Sequence, residues 1–251
     1  MLDYARKLSF SRPDGTRVNG LIMNSGDEHV AVLTFLNMFG AQLIDKDMKV
    51  RANSPEMIKA LTALAQLYKD GGLPTNYASI TIDEVITAMQ TGRAAMAIDP
   101  FARFTVYNNP QTSKFPGAIQ VEMAPASDRK GTAITEIWSM AIPKNSKNKE
   151  LAWDLIRELS APANTIKIAL NGNGPIRPEA YSDEGLKKQL PYTAEEAKAI
   201  QAALVIPSGF DASLQALAIF REESQAAVIG LKTAEQAANA MQKRIEPLAK
   251  N

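Results

Sequence analysis

The side chains best suited to chemistry lie in loops or directly after apolar runs. They are carboxylate, aromatic, amide and guanidinium groups, namely Asp99, Phe101, Trp138, Asn173 and Arg177. Aromatic rings stack on the apolar faces of sugar rings, and planar polar groups exchange hydrogen bonds with sugar hydroxyls. This set is therefore suited to holding a carbohydrate, with no covalent step.

Each of these residues also has a purely structural interpretation. Phe101 and Trp138 fit a packed core as well as a stacking surface, because large aromatic residues dominate cores. Asp99 precedes a proline, which is typical of a turn. Asn173 and Arg177 would equally serve to stiffen the loop that contains them. Ligand contact and packing both stay open for all five.

Several catalytic classes lack their sequence signals. The chain has one histidine, His29, beside two acidic residues, and we interpret it as the start of a surface helix. There is no cysteine, Walker loop, nucleophile elbow or HExxH motif, and the GNG at 172–174 lacks the spacing of a dinucleotide loop. We predict no catalytic residue, metal or cofactor. A glycosidase stays possible because paired carboxylates cannot be picked from sequence.

Charge and hydropathy disfavour two kinds of partner. With 28 basic and 27 acidic residues, the formal net charge is +1, so nucleic acid is not an expected partner. The apolar stretch at residues 30–44 is too short to span a bilayer and is interpreted as a core helix. The N-terminal residues show no signal-peptide pattern.

The best-marked segment, residues 134–159, predicts one α/β unit. Its apolar run at residues 138–142 predicts a buried strand, ended by a proline and a polar turn. Asn148 is a candidate N-cap for the helix that follows. That helix has one apolar stripe, formed by Leu151, Ala152, Leu155, Ile156 and Leu159.

Other elements follow the same α/β pattern. Further strands are predicted over residues 18–23, 93–98 and 119–123. Helix starts are marked by N-caps or capping boxes at Ser54, Thr81, Thr193 and Thr233. In open α/β sheets ligands bind where strands end, which draws attention to Asp99 and Phe101.

Together, several segments resemble the extracellular solute-binding proteins of ABC transporters, in the sugar-binding group with the type II periplasmic binding protein fold. The segments are NSPEMIKALTALAQLYKDGGLP (53–74), TIDEVITAMQTGRAAMAIDPF (81–101), WSMAIPKNSKNKELAWDLIREL (138–159), NGNGPIRPEAYSD (171–183) and KTAEQAANAMQKRI (232–245). The resemblance covers nearly the whole chain, and residues 138–159 are its most specific part.

The resemblance implies a monomeric, non-enzymatic clamp whose two lobes close over a sugar before delivery to a membrane permease. It implies a periplasmic or extracellular location, at the membrane through the transporter. It also implies a C-terminal lobe from residues 1–136 and 205–251, and a second segment of the N-terminal lobe at 137–204. By family position Phe101 is the pocket aromatic, Trp138 the aromatic of the hinge strand, and residues 171–177 the rim of the opposite lobe.

Two departures from the family pattern are visible. Small residues usually precede the tryptophan, but Glu136 and Ile137 stand here, so either the hinge geometry or the ligand set is expected to differ. Glu136 is counted among the predicted ligand-binding residues. The family's chain also begins with a first segment of the N-terminal lobe, and this sequence is expected to start after it. A truncated product without binding activity is therefore another reading, which predicts an exposed apolar patch on residues 139–204.

Overall fold

The structure of the chain is a computed structural model. It describes residues 1–127, 131–136, 138–205 and 210–249. Ile137, which the sequence comparison singles out, lies outside the described residues.

Helices make up most of the described chain, with short strands between them. The helices are α1 (Leu2–Lys7), α2 (Val30–Asn37), α3 (Pro55–Lys69), α4 (Ile82–Gln90), α5 (Arg103–Tyr107), α6 (Lys149–Leu159), α7 (Pro162–Leu170), α8 (Glu184–Gln189), α9 (Thr193–Ala202), α10 (Ser213–Val228) and α11 (Ala234–Ile245). The strands are β1 (Phe10–Ser11), β2 (Arg17–Val18), β3 (Ile22–Met23), β4 (Ala97–Ile98), β5 (Ala133–Thr135) and β6 (Ala203–Val205).

Three of the four predicted helix starts are confirmed by their caps. The Ser54 hydroxyl accepts a hydrogen bond from the Met57 amide at 3.2 Å. Thr81 and Thr233 each form a complete capping box with the residue three positions later. These caps satisfy backbone donors that a helix start leaves unpaired.

The capping box predicted at Thr193 is wrong. Thr193 is the first residue of α9, with Tyr192 at the N-cap position. The Thr193 hydroxyl instead donates to the Leu190 carbonyl oxygen at 2.5 Å. Glu196 is then free of the helix terminus, and its side chain turns into the protein, where it is buried.

The strands form three pairs in the described chain. β1 and β2 are antiparallel, whereas β3 pairs with β4 and β5 pairs with β6 in parallel. The predicted strands at 119–123 and 138–142 are wrong, because these residues, all within the described ranges, adopt no strand. A strand needs a neighbouring strand for its backbone hydrogen bonds. The strand β6 is paired with β5, which ends before residues 138–142 begin.

The largest core lies among α2, α3, α10 and α11. Phe35, Leu61, Phe220 and Met241 are fully buried there. Glu223 of α10 is also buried, and it accepts hydrogen bonds from Arg244 at 2.7 Å and Lys232 at 2.5 Å. This ion network joins α10 to the loop and helix that follow it.

The helix α6 has the predicted apolar stripe, but the described chain does not cover it. None of its eleven residues is buried by described residues. Apolar side chains of residues 139–204 are exposed, including Met140, Leu151, Trp153, Leu155, Leu159, Ile168, Ile176 and Ile200. That they form one patch stays a prediction.

Candidate ligand-binding site

Polar side chains follow three of the strands directly. Asn24 comes after β3, Asp99 after β4 and Glu136 after β5. Since β3 and β4 are parallel, their carboxyl ends lie at the same edge. Glu136 reaches the same neighbourhood because its Oε1 lies 2.9 Å from Nε2 of His29, at the start of α2.

Asp99 is the most enclosed carboxylate of this edge, with a side chain only 6% exposed. The Tyr107 hydroxyl donates a hydrogen bond to its Oδ2, and Arg103 Nε lies 3.9 Å from the same oxygen. Burial raises the pKa of Asp99 to about 6, although Tyr107 and Arg103 act to lower it and Glu28 adds to the rise. A buried carboxyl group with this pKa carries its charge only above mildly acidic pH.

Glu28 lies between the two other carboxylates. Burial raises its pKa, and the negative charge of Glu136 raises it further, while His29 and Arg103 act in the opposite direction. Glu28 Oε2 accepts a hydrogen bond from Asn24 Nδ2 at 3.2 Å. We call the seven side chains together the strand-end cluster: Asn24, Glu28, His29, Asp99, Arg103, Tyr107 and Glu136.

Phe101 and Phe104 carry the aromatic part of the site. Their ring centroids lie 6.0 Å and 5.2 Å from that of Tyr192, in tilted arrangements. Tyr192 precedes α9, so this contact joins two distant parts of the chain. The rings pack with a buried apolar cluster that includes Leu186 and Leu190. Phe101 therefore makes the packing contact that the sequence left open.

The predicted rim loop, residues 171–177, approaches α5 and α9 through glycines. A Cβ atom on Gly172 would lie 2.5 Å from Thr105 Oγ1, and one on Gly174 would lie 3.3 Å from Glu196 Oε1. Gly172 also has φ of +86°, a conformation that side chains disfavour. The glycines therefore let this loop lie directly against both helices.

Asn173 and Arg177, the predicted ligand residues of this loop, are exposed and bind backbone atoms nearby. Asn173 Nδ2 donates to the Ile168 carbonyl oxygen at 3.4 Å. Arg177 donates twice to the Ser160 carbonyl oxygen, at 3.1 and 3.0 Å. Arg177 also lines a cavity of about 420 Å³ between α6 and α7, together with Trp153 and Pro162. None of these contacts joins them to the strand-end cluster.

Below the loop, Glu196 is a second buried carboxyl group. Burial raises its pKa to about 7, and the Tyr181 hydroxyl acts to lower it. That hydroxyl is buried and makes no hydrogen bond of regular geometry with any described residue. The Tyr181 hydroxyl therefore lies close to Glu196 and favours the ionised form of its carboxyl group.

Trp138 stands apart from these groups, since it is 92% exposed. The structure thus brings together Asp99 and Glu136, joins Phe101 to Tyr192, and leaves Trp138, Asn173 and Arg177 outside the cluster. Sequence reasoning missed Asn24 and Tyr107. Position directly after a strand was the available signal for Asn24, whereas nothing local marks Tyr107.

His29 and Glu28 were visible in the sequence but received only a structural interpretation. The expectation that His29 begins a helix is confirmed, because it is the N-cap residue of α2, but the expectation of a surface helix is wrong, since seven of the eight residues of α2 are buried. Its contact with Glu136 spans 107 positions of sequence, which no local pattern indicates. Within the described ranges, no three acidic or histidine side chains are grouped so that they could hold a metal ion.

Comparison with known proteins decides the family. The model of the bacterial extracellular solute-binding protein family matches residues 1–166. The chain belongs to this family. A curated relative from Sinorhizobium fredii, named as an amino-acid ABC transporter periplasmic-binding protein, is 24% identical over 230 residues. Those residues are 90% of this chain and 52% of the relative, so the chain spans about half of that protein's length.

Several solved structures share the fold of this chain. The maltose-bound MalE3 of T. maritima has a TM-score of 0.87 and 24% identity, covering 98% of this chain and 64% of its own. A D-mannitol-bound solute-binding protein of Agrobacterium vitis has a TM-score of 0.79 and 22% identity, and the match covers 100% of this chain and 66% of the other. The maltotriose-bound MalE of Bdellovibrio bacteriovorus has a TM-score of 0.82 at 16% identity, and the match covers 100% of this chain and 65% of the other. The predicted α/β fold of periplasmic binding proteins is thereby confirmed.

Among the helices of the described residues, none has both the length and the apolar character needed to cross a membrane. The family itself is extracellular.

Proposed function

We propose that the chain is the ligand-capturing component of an ABC importer, and that it takes up a sugar, an oligosaccharide or a sugar alcohol. The observation that carries this proposal is the strand-end cluster, which gathers hydrogen-bonding groups at a sheet edge beside Phe101. Relatives of the same fold hold maltose, D-mannitol and maltotriose. The ligand would be delivered to the permease subunits of the transporter, outside the cytoplasmic membrane.

In this proposal two lobes close over the ligand by a hinge motion. Residues 1–136 and 205–251 contribute one lobe, and residues 137–204 contribute to the other. The contact of Phe101 and Phe104 with Tyr192 then lies between the lobes, as does the approach of Gly172 to Thr105. Closure of this kind needs contacts from both sides, and these residues supply them.

The ligand contacts are assigned by chemistry. Asp99 and Glu136 accept hydrogen bonds from hydroxyl groups, and Phe101 packs against a sugar face. Trp138 is fully available for stacking, because its ring is exposed. Asn173 and Arg177 extend the rim from the opposite lobe. Binding requires no metal or cofactor in this scheme, and the protein acts as a monomer.

Calorimetry with the chain tests the proposal. A panel of hexoses, malto-oligosaccharides, sugar alcohols and L-amino acids is titrated, and at least one carbohydrate should bind saturably. Phe101→Ala should weaken that binding about tenfold, since an aromatic contact contributes on the order of 1.4 kcal/mol. The matched control is Phe10→Ala, an exposed phenylalanine of β1. Binding of amino acids alone would refute the sugar assignment, and binding of nothing would refute the capture function.

A glycosidase is the alternative, and we infer that the chain is not one. Such an enzyme needs two carboxyl groups that flank a glycosidic bond, one of them protonated. The raised pKa of Asp99 would suit an acid, but Tyr107 and Arg103 already engage it. Release of nitrophenol from chromogenic glycosides tests this point. Steady release that Asp99→Asn abolishes would favour the enzyme.

A further inference from the structure

Asn24 has an acceptor that no described residue uses. The residue is only 4% exposed, and its side-chain oxygen Oδ1 is buried without a hydrogen-bond partner in the described part of the chain. The amide orientation is well determined by chemistry, because Nδ2 donates to Glu28 Oε2 at 3.2 Å. Turning the amide over would set an oxygen against a carboxylate. Oδ1 is therefore a buried acceptor whose hydrogen bond no described residue supplies.

The groups around this acceptor are predominantly acidic. The strand-end cluster contains Glu28, Asp99 and Glu136 but only one guanidinium, that of Arg103. The His29 side chain contacts Glu136, with Nε2 2.9 Å from Oε1. Arg103 attracts the Asp99 carboxylate from 3.9 Å, but its Nε makes no hydrogen bond with any described residue, and this one guanidinium faces three carboxylates. The carboxylates consequently feel one another's negative charge.

We propose that this edge selects a ligand that presents hydrogen-bond donors and carries no negative charge, which means a neutral or amino-substituted sugar or sugar alcohol. A sugar acid or a sugar phosphate is rejected. The inference rests on the proposed function and specifies its ligand class.

The physical reason is the balance of donors and charge at a partly buried surface. Hydroxyl and ammonium groups give the unused Asn24 oxygen and the carboxylates the donors they lack. A carboxylate or phosphate brings a further negative charge and no donor in place of a hydroxyl. Like charges close together at low dielectric repel strongly, and a buried polar group left unpaired costs additional free energy.

Matched ligands test the proposal directly. For each stereochemistry, the neutral hexose, its 2-amino-2-deoxy derivative and its uronate are titrated by calorimetry at neutral pH and low salt. The uronate should bind at least about tenfold more weakly than the neutral sugar, and the amino sugar at least as tightly. A uronate that binds as well as its neutral counterpart overturns this inference while leaving the proposed function intact. If no sugar of any class binds, the proposed function fails and this inference fails with it.

Two variants separate charge from shape. Glu136→Gln keeps a hydrogen-bonding partner for His29 and removes one charge, so the discrimination against the uronate should shrink about threefold or more. Asn24→Ala should weaken all three ligands alike, because it removes an acceptor without changing charge. Glu179→Gln, an exposed carboxylate in the 3₁₀ turn Pro178–Ser182, is the control and should change neither quantity. Discrimination that Glu136→Gln leaves unchanged contradicts the electrostatic reason.

Discussion

Replacing Asp99 by asparagine tests the electrostatics of the strand-end cluster through stability. Burial raises the pKa of the Asp99 carboxyl to about 6, against 3.8 for an ordinary aspartate. Between these two pH values the folded chain keeps a proton that the unfolded chain has released. The free energy of unfolding therefore falls as pH rises through this range, and the loss is complete above pH 6.

The magnitude follows from the two pKa values. One pH unit of difference corresponds to about 1.4 kcal/mol, so the ionised Asp99 costs the fold at most about 3 kcal/mol at neutral pH. Asparagine has the same shape, is always neutral and still accepts a hydrogen bond from Tyr107. The free energy of unfolding of Asp99→Asn relative to the wild type should therefore rise by about 2 kcal/mol as the pH is raised from roughly 4 to roughly 7.5.

Urea unfolding of both proteins at several pH values and constant ionic strength measures this gain. Asp83→Asn, an exposed carboxylate on α4, is the control and should change stability by less than about 0.5 kcal/mol. Tyr107→Phe should move the loss of stability to higher pH, because the Tyr107 hydrogen bond lowers the pKa of Asp99. A difference between Asp99→Asn and wild type that stays constant with pH would refute the reasoning.

Three further predictions concern the scaffold. Glu223→Gln should lower the free energy of unfolding by about 2 kcal/mol, because Glu223 is 2% exposed and binds two cations, whereas the exposed neighbour Glu222→Gln should cost less than about 1 kcal/mol in the same urea titration. Gly172→Ala should destabilise by at least about 1 kcal/mol more than Gly117→Ala, since both have positive φ but only Gly172 has an atom in the way; equal thermal unfolding temperatures would contradict the close loop contact. Leu155→Lys should leave the free energy of unfolding within about 0.5 kcal/mol in the same urea titration, because Leu155 is 58% exposed; a loss above about 1 kcal/mol would show that the apolar stripe of α6 packs against the chain.

Local elements of the fold were predictable because their causes are local. The caps at Ser54, Thr81 and Thr233 depend on residues three positions apart, and all three form as expected. The family was predictable for a related reason, since it rests on several such segments in a fixed order. The capping box at Thr193 does not form because Tyr192 takes the N-cap position, which makes Thr193 the first helical residue and places Glu196 one position too late to pair with the cap.

Strands and site contacts could not be predicted with the same success, because both need a distant partner. Residues 138–142 have the apolar run of a strand, but a run of apolar side chains does not supply a neighbouring backbone, and the described chain provides none there. The division of the chain into lobes stays a prediction for the same reason, and so do the ligand roles of all six predicted residues: Asp99, Phe101, Glu136, Trp138, Asn173 and Arg177.

The sequence by itself determined the helices with strong caps, the placement of Asp99 and Phe101 where a strand ends, and membership in a solute-binding family. Only the tertiary structure decided which groups meet: His29 with Glu136, and Phe101 with Tyr192. The physical reason is that hydrogen-bonded caps form within one turn of chain, whereas a binding surface is assembled by folding from residues far apart in sequence. The charge balance of the strand-end cluster exists only after that assembly.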